Sequence, residues 1–416
     1  MKILLYITIY TLINAYILTK IIKWITNINE KTNKLTVKVS IIILYTIMYF
    51  SVILGYLLPI STLQKYIQIF ANYFTGCMIY TGIIFLLLDI ITIISVKIFK
   101  VNNDFFKSKK YLYTLRVALV TIVLFTNIYG TYHAQQIKVK NYEVNINKTT
   151  KDTKQFKIAL IADFHLGYSI GHKMMKQMAE KINKENVDVV FIAGDIFDNS
   201  VKTVDNIEKC KDALSSINSR YGVYATFGNH DIDEKLFEGF SVKSNHDGYR
   251  NKEMENILID AGIKILDDEV FTLFDDSIYV IGRKDSERTG FGEEKRESLE
   301  TLLEKVDISK PTIVVEHEPR NLSEISKQGV DLHLAGHTHA GQIFPFSLGA
   351  AIMWPNLVGQ KQFGNMTSIV TSGIGIYGPF MRIGTDSEIS IVNVHFWWLN
   401  LHKIPKKYCK NCCSMV

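Results

Sequence analysis

Four stretches of almost unbroken apolar residues in the first third of the chain limit its structure more than any other feature. ILLYITIYTLINAYILT, VSIIILYTIMYFSVILGYLLPI, GCMIYTGIIFLLLDIITIISV and VALVTIVLFTNIYGTY each approach or reach the roughly 20 residues that a helix needs to cross a bilayer. The first is short and ends among Lys20 and Lys23, whose long side chains can snorkel to the interface. It lacks the small-residue cleavage site of a signal peptide and further apolar segments follow it, so it reads as a span. The chain has 416 residues, and the remainder beyond the apolar third has the mixed composition of a globular domain.

Basic short loops stay on the cytoplasmic side. Lys20, Lys23, Lys31, Lys34 and Lys38 follow the first segment, and Lys97, Lys100, Lys107, Lys109, Lys110 and Arg116 follow the third; Lys2 and Lys65 are all that the other side offers. This predicts a multi-pass protein of the cell membrane with both termini and the globular domain outside the cytoplasm. Residues 1–150 hold 16 Lys and Arg against 4 Asp and Glu, so a chain with a net charge of +6 carries an acidic globular part. An acidic domain argues against a nucleic-acid partner. Asp89, inside the third segment, is costly in hydrocarbon. It reads either as a functional group or as a buried hydrogen-bonding residue facing a polar partner such as Asn14 or Asn127.

Five cysteines make no disulfide framework. Cys77 and Cys210 read as packing residues, while Cys409, Cys412 and Cys413 read as part of a tail rather than a metal or disulfide cluster. The run FWWLNL, from Phe396, reads either as a membrane-interface contact or as packing on the domain. The organisation expected is a transmembrane region over 1–135, a connecting segment over 136–155 that pairs as an edge hairpin, a domain over 156–396 and a tail over 397–416.

Within the domain, short apolar runs alternate with helical patterns. KIALIAD, DVVFIAGD, VYATFGNHD, TIVVEHEP and VDLHLAGHTH read as strands, which implies an α/β domain with two packed sheets flanked by helices. Every polar cluster sits where one of these strands ends, the place where loops of α/β sheets converge on ligands. The clusters are Asp163 and His165 in DFH, Asp195 and Asp198 in GDIFD, Asn229, His230 and Asp231 in GNHD, His317 in HEP, and His337 and His339 in GHTH. Each alone could be a turn or a helix cap. Together they supply carboxylate, amide and imidazole ligands without thiolate, a set that suits two divalent ions such as Mn, Fe or Zn. The i, i+2 spacing of Asp163 with His165 and of His337 with His339 would put each pair on one face of an extended strand end. Gly336 would let the chain turn. His133, His172, His246, His333, His395 and His402 read as surface or packing residues.

The ordered series DFH, GDIFD, GNHD, HEP and GHTH resembles the calcineurin-like metallophosphoesterases over roughly residues 156–394. The run from LAGHTHAGQI through SGIGIYGPFMRIG to EISIVNV is similar to a membrane-associated bacterial branch that includes lipid-nucleotide pyrophosphatase-like members. The resemblance implies a four-layered α/β/β/α sandwich. It also implies that Asp163, His165, Asp195 and His339 hold one metal, and that Asp195 bridges to a second held by Asn229, His317 and His337. His230 would face the substrate phosphate with Asp231 orienting it, and Asp198 would support. Ala340 stands where that branch usually has glycine; alanine fits there unless its φ is positive.

Two such ions can share a hydroxide and neutralise phosphoryl oxygens, which makes the chain a membrane-anchored phosphodiester, pyrophosphate or phosphomonoester hydrolase by expectation. Its substrate would be a phosphorylated small molecule or a lipid-linked or envelope compound. The alternative is a membrane sensor that binds metal or a phosphorylated ligand without turnover.

Overall fold

The computed structural model describes residues 2–151, 153, 155–232, 236–237, 240–241, 249–292 and 294–397. Trp398 to Leu401, the three C-terminal cysteines, His246 and His402 lie outside these residues.

The apolar third forms helices α1 (Lys2–Thr26), α2 (Leu35–Leu57), α3 (Thr62–Lys97), α4 (Asn103–Lys107) and α5 (Lys109–Ala134). All but the short α4 are long and apolar enough to cross a membrane. Ser61 and Ser108 start α3 and α5 by accepting from the Gln64 and Tyr111 amides. The helices pack through Tyr10, Ile17, Tyr45, Phe74 and Phe85. Asn14 satisfies its polar groups inside this bundle, donating to the Tyr10 carbonyl and accepting from the Tyr45 hydroxyl. Asp89 faces neither Asn14 nor Asn127. It accepts from the Tyr16 hydroxyl at 2.8 Å and pairs with Lys20. Lys20 lies inside α1 rather than in a loop, and the half-exposed Asp89 carboxylate on an apolar helix has a full counter-charge where a neutral amide was expected.

The rest of the chain runs β1 (Ile137–Ile146), β2 (Gln155–Ile161), α6 (His172–Glu185), β3 (Val189–Ala193), α7 (Ile207–Ser215), β4 (Val223–Thr226), β5 (Leu236–Phe237), β6 (Phe240–Ser241), α8 (Lys252–Asp260), β7 (Lys264–Ile265), β8 (Glu269–Leu273), β9 (Ile278–Gly282), α9 (Leu299–Leu303), β10 (Thr312–Val315), α10 (Leu322–Lys327), β11 (Leu332–Ala335), α11 (Phe346–Met353), β12 (Gly359–Phe363), β13 (Met366–Val370) and β14 (Ser387–Phe396). Two six-stranded sheets result, ordered β1-β14-β2-β3-β4-β7 and β12-β13-β11-β10-β9-β8.

Side-chain alternation then builds the layers. Ile158, Leu160 and Phe191 of the first sheet meet Val280, Ile313 and Leu334 of the second. On the other face of the first sheet, Ala159, Ile161 and Ile192 pack against Met175, Met178, Leu214 and Leu258 from α6, α7 and α8. Ile281 and Val314 pack against Leu299, Leu302 and Ile325 from α9 and α10 on the outer face of the second sheet. The architecture is the four-layered α/β/β/α sandwich. The segment expected to form a connecting hairpin is instead one edge strand: β1 runs parallel to β14 over its whole length. Lys138 and Lys140 hold it there by pairing with Asp386 and the buried Glu388 at 2.7 and 2.8 Å.

The helical bundle and the sandwich are in direct contact. Tyr73 stacks on Phe380, the Tyr80 hydroxyl donates to the Phe344 carbonyl, Thr131 donates to the Phe380 carbonyl, and the Arg382 amide donates to the Gly130 carbonyl. A Cβ at Gly130 would lie 2.8 Å from Met381 Cβ and 2.9 Å from Ile383 Cδ1. Gly130→Val is therefore expected to cost about 1–3 kcal/mol through overpacking. A lowered thermal unfolding midpoint of the detergent-solubilised full chain checks this; an unchanged midpoint would contradict the close approach.

Candidate metal centre

The five motifs occupy the C-terminal ends of neighbouring parallel strands in both sheets. Asp163 and His165 follow β2, Asp195 and Asp198 follow β3, and Asn229, His230 and Asp231 follow β4, while His317 follows β10 and His337 and His339 follow β11. The two sheets come together there because glycines let their loops touch. A Cβ at Gly336 would lie 2.5 Å from Ala162 Cβ, and one at Gly228 would lie 2.8 Å from His317 Cδ2. Gly336 is needed for this close approach rather than for a left-handed turn.

Asp163, His165, Asp195, His337 and His339 all have positive φ, from 48° to 73°. Such outliers collect at functional sites. They also overturn the extended-strand reading of the two spacings. Asp163 and His165 do come together, with His339; but His337 is turned away from His339 towards Asp195 and His317. In each of these two groups one ligand atom per residue lies within 4.8 Å of the others. Asn229 Oδ1 joins the second, 3.0 Å from His337 Nδ1 and 3.1 Å from His317 Nε2. Asp195 Oδ2 stands between the two, 3.7 Å from His165 Nε2 and 3.1 Å from His317 Nε2. His165 Nε2 and His339 Nε2 point at each other at 3.0 Å. Facing imidazole nitrogens repel unless a proton or cation lies between them, so the donor set fits bound cations.

His230 stands beside these groups, its ring 4.9 Å from that of His165 and 4.8 Å from that of Tyr377. Its backbone amide donates to Asp195 Oδ1 at 2.8 Å. Asp231, expected to orient His230, does something else: its carboxylate accepts from the amides of Ile196, Phe197 and Gly228 and so ties two ligand loops together. The groups facing the His230 ring are Asn199 at 3.3 Å and Asp198 at 3.8 Å. Asp198 also forms a potential ligand group with His165 and His230.

Burial lowers His165 to about 3 and His230 and His337 to about 4, and holds His339 well below its ordinary value. These four rings are neutral at pH 7. Burial also pulls on His317, but the adjacent Asp195 carboxylate outweighs it and keeps this imidazole well above its ordinary value. Burial pushes Asp195 up, yet the charge and hydrogen bond of His317 outweigh it and hold the carboxyl well below the usual range. Asp163, Asp198 and Asp231 are raised to about 7, chiefly by burial.

Several supporting residues escaped sequence reasoning. His317 Nδ1 lies 2.8 Å from the Ala193 carbonyl, and His337 Nε2 lies 3.5 Å from Glu318. Each arrangement directs the ring's other nitrogen into the cluster. Arg382, fully buried, donates to the Ser372, Gly375 and His339 carbonyls. Only the position of Glu318 in HEP hinted at a role. His333 is an ordinary core residue paired with Glu316 at 3.0 Å. Ala340 has φ 54°, the condition under which alanine is disfavoured, and sits in the left-handed region at a cost of about 1–2 kcal/mol.

Residues 156–341 match the family model described as calcineurin-like phosphoesterase. A transmembrane protein with metallophosphoesterase domain from Danio rerio is 29% identical over 291 residues, which cover 67% of this chain and 61% of that one. An uncharacterized metallophosphoesterase from Helicobacter pylori strain J99 is 31% identical over 263 residues, covering 62% of this chain and 64% of that one. One from Aquifex aeolicus is 28% identical over 283 residues, covering 66% and 97%. The chain thus spans less than two thirds of the length of the first two relatives.

Cation binding requires Asp163 and His317 to give up protons, because one is raised to about 7 and the other lies well above its ordinary value, whereas the four neutral imidazoles need lose none. Affinity for divalent metal is expected to weaken as pH falls from 8 to 6, with net proton release at pH 7. Calorimetric titration of the metal-free protein with Mn in buffers of different ionisation enthalpy measures that release; a buffer-independent heat would contradict the assignment.

Proposed function

Because residues 156–341 match the calcineurin-like phosphoesterase family model, we propose that the chain is a membrane-anchored, metal-dependent phosphoesterase acting on phosphodiester, pyrophosphate or phosphomonoester bonds. Members of this family generally use two divalent metals. In this reading Asp163, His165 and His339 hold one ion, Asn229, His317 and His337 hold the other, and Asp195 serves both. Mn, Fe or Zn suits the ligand set. The observation that carries the proposal is the carboxylate of Asp195 standing between two ligand groups, with the ring of His230 beside them.

Bound ions would supply activated water at neutral pH and neutralise charge on the phosphoryl oxygens. The chain's own residues do the rest. His230, neutral in its buried setting, can take up a proton from solvent as an anionic phosphoryl group arrives and pass it to the leaving oxygen. Asn199 and Asp198 orient that ring, while Asp231 fixes the loops that present it. Glu318 and the Ala193 carbonyl orient His337 and His317.

The division we propose is a membrane region over 1–135, the strand 137–146 leading into the sheet, a phosphoesterase domain over 156–396 and a tail over 397–416. The loop lysines favour an extracytoplasmic domain in the cell membrane. Anchoring by four helices makes a lipid-linked or envelope substrate the preferred class, ahead of a free phosphorylated small molecule.

Asp195→Asn should lose both bound metal and activity. His230→Ala should keep its metal and lower kcat by about 10²–10⁴-fold. Metal analysis alongside nitrophenol release from bis-nitrophenyl phosphate tests both. Normal metal content in Asp195→Asn would sink the assignment, and bound metal without turnover in the unaltered chain would favour a binding module over an enzyme.

A further inference from the structure

The chain from Ala340 to Gln360 contains no charged residue and no histidine, although it lies in an acidic domain. Its centre is α11, FSLGAAIM, a helix with no buried residue. Phe346, Leu348, Ile352 and Met353 are 53%, 61%, 88% and 77% exposed. A helix apolar on all sides and buried on none is not stable against water alone.

Its surroundings identify what covers it. Phe344, two residues before α11, accepts the hydrogen bond from Tyr80. Tyr80 lies near the middle of α3, whose 36 residues extend about 54 Å along the helix axis. The hydrocarbon layer is about 30 Å thick. A layer of that thickness crossed wholly within a helix of about 54 Å must include the helix midpoint, wherever along the helix it lies. The hydrogen bond to Phe344 therefore falls within or at the edge of that layer, and α11 starts beside it. The outward side chains of α3, such as Leu86 and Leu87, are of the same kind.

We propose that α11 is a monotopic membrane-inserted helix, seated in the acyl-chain region of the leaflet that contacts the sandwich. Its C-terminal end leads straight to the ligand cluster. Trp354 meets the His337 ring edge-on at 4.9 Å, and the Arg320 guanidinium lies over the Trp354 ring at 4.8 Å. An aromatic side chain with a cation above it is at home at the headgroup boundary. This seating holds the metal centre at headgroup depth. It depends on the fold alone and stands whether or not the centre turns over.

The test uses the full chain with its cysteines replaced by serine and a single nitroxide-labelled Ile352→Cys, in phosphatidylcholine–phosphatidylglycerol nanodiscs. The expected result is frequent collision with oxygen and exclusion of an aqueous nickel chelate, matching a label at Leu87 of α3. Nickel accessibility like that of a label at Ile308, an exposed residue of the sandwich, would overturn the proposal. Exclusion of both reagents would overturn it equally, since a protein partner or second copy would then cover the helix. Labelled Met353→Cys supplies the same measurement should the first variant fail to reconstitute.

Discussion

The carboxylate of Asp195 is the constraint on which the rest of the centre depends. It is fully enclosed where the two sheets meet, and each oxygen is used: Oδ1 accepts the His230 amide, while Oδ2 faces His317 and His165. Its own carbonyl accepts the His165 amide. A charge buried at that depth must be compensated within a few ångströms. That requirement explains why His317 retains its proton against burial while its neighbours lose theirs. No side chain fits at Gly228, where a Cβ would lie 2.2 Å from Asp195 Oδ1.

Much of this was legible in the sequence because strand ends, unlike strand interiors, advertise themselves by polar residues after apolar runs. The order of the ligand motifs, the two-sheet layering and the long apolar helices follow from local pattern alone. What was not legible depends on contacts between distant segments. Asp89 could be recognised as a polar group in hydrocarbon, but its pairing with Lys20 rests on α1 running alongside α3, and nothing local to either residue says so. The same holds for Arg382, whose partners lie across three loops, and for β1, whose place beside β14 is set by a strand some 250 residues away in sequence, in the register Ile137 with Ser387.

The loops themselves were misjudged for a different reason. Side-chain alternation holds for extended backbone, and the residues of Asp163-Phe164-His165 and His337-Thr338-His339 leave it at the very positions that matter. Left-handed φ is commoner at aspartate and histidine than at most residues, and here the side chain finds hydrogen-bond partners that hold the loop. The His337 amide, for example, donates to both oxygens of Asp163. Strain there separates two histidines that spacing alone would pair, and so gives one motif a part in both ligand groups.

The long apolar helices are bonded to the sandwich at several points rather than merely joined to it by the chain. The carbonyl of Gly130 in α5 receives the backbone amide of Arg382, and the side chain of that same arginine holds the backbone of His339. One residue therefore touches a candidate span on one side and a candidate metal ligand on the other. His133 makes a second link, placing α5 against Thr385 and Asp386, and Asp386 in turn receives Lys138 from the first strand of the sandwich. A shift of α5 relative to the sheet would have to break these bonds together or carry the His339 loop with it. Packed interfaces of this kind move as units rather than deform by degrees. The geometry of the first ligand group is thereby coupled to the packing of the bundle.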